Sequence, residues 1–265
     1  MRQAIIGAIL CVLGGGALAC GAESDCVLGD RHYRIALPEG TAPTGAVVYA
    51  HGYRGSAPGV MRNGALRRAL SERGLALIAL KSLSDDWVIP HVPGHPEASG
   101  QEETAYVEAV IADAARRFDI DERRLVAAGF SAGAMMVWTL ACTMPERFAG
   151  FVAISGTFWQ RAPETCATPP ASVVHLHGTS DPTVPMEGRP IRETWQGDVR
   201  DVLDFYARFG EFAAAGETRT GDLACTQRRN PEGAILDLCL HPGGHAFRNN
   251  DLLFALNRLA AAGRF

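Results

Sequence analysis

The sequence predicts an α/β fold, a mostly parallel sheet with helices on both faces. Short apolar runs recur along the chain, at Ala46 to Ala50, Leu75 to Leu80, Arg124 to Ala128, Phe151 to Ser155 and Ser172 to Leu176, as strands buried on both faces do. Segments with helical apolar spacing lie between several of them, which is the alternation of crossover units. Residues able to do chemistry follow the runs, where parallel sheets present their ligand-binding loops.

In chain order, Tyr33 to Leu37 alternates like a half-buried strand, and Ala46 to Ala50 feeds a loop at His51-Gly52. Ala65 to Arg73 reads as a helix closed by Gly74, followed by the strand Leu75 to Leu80. Lys81 to Gly100 is a long Pro-, His- and Gly-rich stretch, a length associated with function or mobility. Glu102 to Phe118 places Ala105, Val107, Val110, Ile111, Ala114 and Ala115 on one broad helical face, with Arg116 and Arg117 in the last turn. The strand Arg124 to Ala128 and helix Ala132 to Cys142 follow, then the strands Phe151 to Ser155 and Ser172 to Leu176. Asp198 to Ala215 reads as mostly helical, Ala234 to Leu240 as a strand, and Asp251 to Ala262 as the closing helix.

The 265 residues, 47% hydrophobic and 20% charged, suffice for one large domain. A net charge of −4 gives no basic footprint, so nucleic acid is not an expected partner. The first residues read as an export signal over 1–19, with cleavage near 19–22: Arg2 is followed by an apolar, glycine-rich stretch ending in Ala17-Leu18-Ala19. That stretch is short and glycine-rich for a membrane span, and none is expected. The expected location is secreted or periplasmic. The alternative is a lipid anchor at Cys20, against which Ala17 stands where such signals carry Leu.

Cys11 falls in the signal, leaving Cys20, Cys26, Cys142, Cys166, Cys225 and Cys239 for an oxidising compartment. Cys225 and Cys239 flank a hairpin-like stretch with Asn230-Pro231-Glu232-Gly233 as its turn, and Cys142 and Cys166 bracket a strand and its loop. These two pairs are the expected disulfides, with Cys20 and Cys26 left open. No cysteine–histidine cluster has metal-ligand spacing, and no metal or cofactor is expected.

Gly129-Phe130-Ser131-Ala132-Gly133 is a G-x-S-x-G turn between a strand and a helix. A serine on so sharp a turn sits in a strained backbone, and the crowding requires glycine two residues to either side. The helix that begins there aims N–H groups at negative charge near Ser131. A serine hydroxyl needs a base, and the base needs a carboxylate to orient it. Asp181 follows the Ser172 to Leu176 strand, and His245 follows the Ala234 to Leu240 strand on the flexible Pro242-Gly243-Gly244 loop. His241 is the competing histidine, placed where its strand should end. His51 and His177 precede glycines at strand ends and read as local hydrogen-bonding groups. His91 and His95, in the long loop, read equally as surface positions or substrate contacts.

Together, Gly129 to Gly133, His177 to Pro185 (HGTSDPTVP), Gly243 to Phe247 (GGHAF) and His51 to Ser56 (HGYRGS) resemble the secreted polyhydroxybutyrate depolymerase and feruloyl esterase family of α/β-hydrolases. The resemblance implies the α/β-hydrolase fold in a single catalytic domain over 27–265. It implies Ser131 as nucleophile, His245 as general base and Asp181 as its orienter, with the backbone N–H groups of Tyr53 and Ala132 as oxyanion donors. The reaction it implies is carboxylic-ester hydrolysis through an acyl-enzyme, on small or oligomeric esters of polyhydroxyalkanoate or feruloyl type. A prolyl-oligopeptidase-type peptidase and a non-catalytic binding protein are the alternatives: the first normally carries a further large domain, and the intact triad set argues against the second. Trp87, Phe130, Trp159, Trp195 and Phe247 are candidate substrate contacts on active-end loops, with core packing as the competing role. No insertion between Asp181 and His245 reads as a large lid, so an open site is expected. Nothing in the sequence sets the oligomeric state.

Overall fold

A computed structural model describes residues 20–265, so the segment 1–19 expected to be an export signal lies outside the described residues. The elements in order are β1 (Cys26–Leu28), β2 (Arg31–Ala36), β3 (Gly45–Ala50), α1 (Ala57–Met61), α2 (Gly64–Ser71), β4 (Leu75–Ala79), α3 (Gln101–Phe118), β5 (Leu125–Phe130), α4 (Ala132–Thr143) and β6 (Gly150–Ile154). Then come β7 (Trp159–Gln160), β8 (Val173–Gly178), β9 (Pro190–Ile191), β10 (Thr194–Gln196), α5 (Val199–Phe209), β11 (Ala213–Thr220), β12 (Leu223–Arg229), β13 (Ile235–His241) and α6 (Asn249–Ala261). Ten strands form one sheet in the order β1-β2-β4-β3-β5-β6-β8-β13-β12-β11. Its centre, β4 through β13, is parallel; β1 and β2 close one edge antiparallel, and β12 and β11 the other. This is the α/β-hydrolase fold.

The two-residue period of a strand divides the core. Ala46, Val48 and Ala50 of β3 join one buried cluster with residues of α3, α4 and α5. Val47 and Tyr49 join a second with residues of α1, α2 and α6. Helix α4 is buried along nearly its whole length, Ala132 to Cys142, which explains its uniform apolarity: a helix enclosed on all sides has no polar face to show.

The helix read over Asp198 to Ala215 stops at Phe209. Gly210 caps it, Glu211 takes a left-handed φ of 55°, and Ala213 to Ala215 enter β11. Alanine favours helix, so pairing with β12 overrides local propensity here. The long 81–100 segment is tied down: Trp87, Ile89 and Val92 are buried, and the buried Glu103 carboxylate accepts from Val88 N at 3.0 Å and from Arg31 at 2.8 Å.

Cys142–Cys166 and Cys225–Cys239 are bonded, and Cys20 pairs with Cys26. A thioether lipid on Cys20 and this third disulfide exclude each other. Cys225 and Cys239 are direct register partners on β12 and β13. Their bond closes a 14-residue separation, so changing both to Ser should lower stability by about 3 kcal/mol on the chain-entropy model. Urea denaturation measures this, and an unchanged midpoint would show that the strand ladder alone holds the hairpin.

Candidate active site

Three strand ends converge. Ser131 occupies the turn from β5 into α4 at φ 57°, ψ −124°, a region costly for a residue with a side chain and held only where surroundings dictate it. A Cβ on Gly129 would strike the backbone of Gly133, and one on Gly133 would strike the carbonyls of Ala50 and His51. Glycine is required at both places for this reason. Gly156, after β6, is a third such position that the pentapeptide does not announce: its Cβ would strike the Ser131 carbonyl. Ser131 N donates to Ile154 O at 2.9 Å, fixing the turn to β6.

Asp181 follows β8 in a turn that it caps itself, its Oδ1 accepting from Thr183 N at 2.8 Å and Val184 N at 2.9 Å. Its Oδ2 lies 2.7 Å from His245 Nδ1, and His245 Nε2 lies 3.0 Å from Ser131 Oγ. A carboxylate can only accept, so Nδ1 carries the hydrogen and Nε2 presents its lone pair to the serine hydroxyl. The two loops are joined: Thr179 N donates to His241 O at 2.8 Å and Ser180 N to Gly243 O at 3.1 Å. His241 itself is buried, with Nδ1 accepting from Gly243 N at 3.0 Å and Nε2 4.0 Å from Asp251 Oδ2.

The His51 to Gly55 loop is braced from beneath. His51 Nδ1 donates to Gly52 O at 2.8 Å and its Nε2 accepts from Ser82 N at 3.2 Å. Burial drives this imidazole's pKa down to about 4, so it stays neutral as those bonds require. Arg54 N donates to Asp85 O at 2.7 Å, which leaves exposed Tyr53 between fixed neighbours. Ala132, at the first turn of α4, has an N–H without an intrahelical acceptor.

A cleft of about 740 Å³ opens over Ser131, with Tyr53, Ala132, Met135 and Trp159 in its wall. Trp87 is corrected by the structure: it is fully buried and donates from Nε1 to His51 O at 2.8 Å, bracing the loop instead of lining the cleft. Phe130 and Phe247 lie outside the cleft wall; Phe130 packs against the His245 ring, centroids 4.7 Å apart and tilted by 37°, and Phe247 packs on Phe130 and Tyr49. Trp195 is exposed on β10, pairs with Pro190 and lies outside the cleft wall, on the opposite face of its strand from the cleft residue Gln196. His95 reaches the cleft.

Sequence reading missed Leu83, Asp86, Arg189 and Arg192 in the cleft wall. They come from irregular segments whose apolar and charged residues carry no period to read. Burial, with Glu103 and Asp85 nearby, pushes the Asp86 carboxyl up to about 6.

Residues 80–194 match the phospholipase/carboxylesterase family model, a segment that holds Ser131 and Asp181. The esterase candidate NocK of Nocardia uniformis subsp. tsuyamanensis is 26% identical over 250 residues, 82% of this chain and 70% of that protein. A feruloyl esterase C candidate of Aspergillus terreus is 30% identical over 90 residues, 34% of this chain and 33% of that one. Among solved structures, an acetyl xylan esterase from Aspergillus awamori superposes with a TM-score of 0.66 at 13% identity, covering 91% of this chain and 99% of its own. A phospholipase/carboxylesterase from Dyadobacter fermentans gives 0.60 at 17% identity, covering 87% and 96%. Matched segment, relatives and fold agree: the chain is a carboxylic-ester hydrolase built on the α/β-hydrolase fold.

Proposed function

We propose that Ser131, His245 and Asp181 are the catalytic triad of a serine esterase that works outside the cytoplasm on phenolic esters of feruloyl type or on hydroxyalkanoate oligoesters. The continuous line from Asp181 Oδ2 through His245 to Ser131 Oγ carries the reading. Ser131 Oγ attacks the ester carbonyl carbon while its proton passes to His245 Nε2. The carbonyl oxygen gains the negative charge and takes hydrogen bonds from the N–H groups of Tyr53 and Ala132. Collapse breaks the bond to the alkoxy oxygen, which leaves as the alcohol with the proton from His245. Water then attacks the acyl-enzyme, giving up its proton to His245, and Ser131 regains one as the acid departs.

Thr183 N and Val184 N hold the second oxygen of Asp181, so the carboxylate keeps its place against His245 throughout. Loss of one oxyanion donor costs about 3 kcal/mol of barrier, which gives the bracing of Tyr53 by His51, Trp87 and Arg54 its importance.

The substrate class is supported by the cleft. Tyr53 and Leu83, two of the exposed large hydrophobics, are in its wall. Such a rim suits an aromatic or extended acyl chain better than acetate alone. Pairing of all six cysteines from Cys20 onward favours an oxidising compartment. A panel of methyl ferulate, 3-hydroxybutyrate oligomers and a matched saturated alkyl methyl ester tests the reading. We expect kcat/KM for methyl ferulate or the oligomers to exceed that of a matched saturated alkyl methyl ester at least about tenfold, the discrimination roughly 1.4 kcal/mol of apolar contact supplies. Equal values across the panel would remove the substrate assignment while leaving the esterase chemistry in place.

A further inference from the structure

Behind the Asp181 loop runs a line of polar side chains that no step above uses. Trp138 on α4 and His175 and His177 on β8 are all fully buried. Trp138 Nε1 lies 3.2 Å from His175 Nδ1, His175 Nε2 lies 3.0 Å from His177 Nδ1, and His177 Nε2 lies 2.8 Å from the Val184 carbonyl oxygen. The two ends fix every hydrogen between them, because an indole N–H only donates and a carbonyl only accepts. His175 Nδ1 therefore accepts, and its Nε2 carries a hydrogen that it donates to His177 Nδ1. His177 Nε2 in turn carries the hydrogen that goes to Val184. Burial pushes both imidazoles below their ordinary value, in keeping with the neutral rings this line needs.

The line joins two parts of the site that are distant in sequence. Trp138 rides on the helix that begins beside Ser131. Val184 belongs to the Asp181 turn, its N–H on Asp181 Oδ1 and its carbonyl on His177. His177 Nε2 also stands 3.7 Å from Asp181 Oδ2, the oxygen that holds His245. Turning either imidazole over would set a lone pair against the Val184 carbonyl and the Asp181 carboxylate, or a donor against the indole N–H.

We propose that His175 and His177 are positioning residues for the reaction, relaying one fixed tautomer from Trp138 on the nucleophile helix to Val184 and so holding Asp181 in register with His245 and Ser131. The proposal rests on the triad reading above. An inert polar filler in the core would affect stability alone; a positioning line affects kcat in protein that is fully folded.

The test uses His177→Phe, which keeps the ring and removes both nitrogens, and His177→Gln, whose amide nitrogen reaches the place of Nε2. Kinetics on nitrophenyl acetate are normalised to sites titrated with a serine-directed phosphonate. We expect His177→Phe to lose kcat about 100-fold with KM within about twofold, the scale of a misplaced catalytic group, and His177→Gln to recover most of that loss. Wild-type kcat in folded His177→Phe, or no recovery in His177→Gln, would overturn the proposal. If the Phe variant does not fold, His177→Asn replaces it, since the shorter amide cannot reach Val184; kcat equal in the Asn and Gln variants is then the overturning result. Ser131→Ala in the same series separates the two ideas, because activity there removes the triad itself.

Discussion

Ser131→Ala should leave a folded protein that no longer hydrolyses esters, with kcat reduced by about 10⁴-fold or more on the scale of nucleophile removal in triad enzymes. The substitution keeps the Cβ and with it the backbone at φ 57°, so it adds no strain that serine did not already carry. It deletes one hydroxyl at a partly open position, for which a stability change within about 1 kcal/mol is expected. The residual rate comes from binding and the oxyanion donors, which stay in place. Three measurements distinguish the outcomes: turnover of a nitrophenyl ester, the thermal midpoint, and the mass gained from a serine-directed phosphonate. Wild type should gain one adduct, on the peptide holding Ser131, and the variant none. An adduct on a different serine of folded protein would move the nucleophile elsewhere and take the mechanism with it.

The parts of this protein legible in its sequence are those where one physical demand dominates. Buried parallel strands must be apolar on both faces, so β3, β4, β5, β6 and β8 stand out as runs. The elbow is legible because Gly129 and Gly133 have no room for a side chain. The edges are harder to read. All of β11 is exposed, and its Ala-Ala-Ala start favours helix; only the partner strand makes it a strand, and a partner is not visible in eight residues. The aromatic residues divide for a related reason. Trp87 and Trp159 both lie near the active end, and composition cannot say that one turns under the His51 loop while the other reaches the cleft. Likewise, the His175–His177 line depends on Trp138 and Val184 arriving from separate elements. Two histidines on alternate positions of a strand give no hint of it.

The second large effect concerns His245 and His241, four residues apart and of opposite consequence. His245→Ala should lower kcat by several orders of magnitude, on the order of 10⁴ to 10⁶. Without it no other group among the described residues stands 3.0 Å from Ser131 Oγ to accept the proton, and Asp181 Oδ2 loses the N–H it was placed to hold. His241→Ala acts differently. Its imidazole is held neutral chiefly by burial and next by the Arg248 charge, and its Nδ1 takes the Gly243 N–H. Removing it leaves that donor inside the loop without its partner, for a cost of about 1–3 kcal/mol in stability. The His241 carbonyl still receives Thr179 N, since that bond is backbone to backbone. The loop carrying His245 is therefore loosened but not released, and the expected result is a lower thermal midpoint with kcat within about tenfold of wild type, a small part of the roughly 100-fold that full misplacement costs. Side-by-side kcat values in folded protein decide the assignment. A dead His241→Ala beside an active His245→Ala would mean that the proton passes through the other histidine and that the line drawn from Asp181 to Ser131 is not the one the reaction uses.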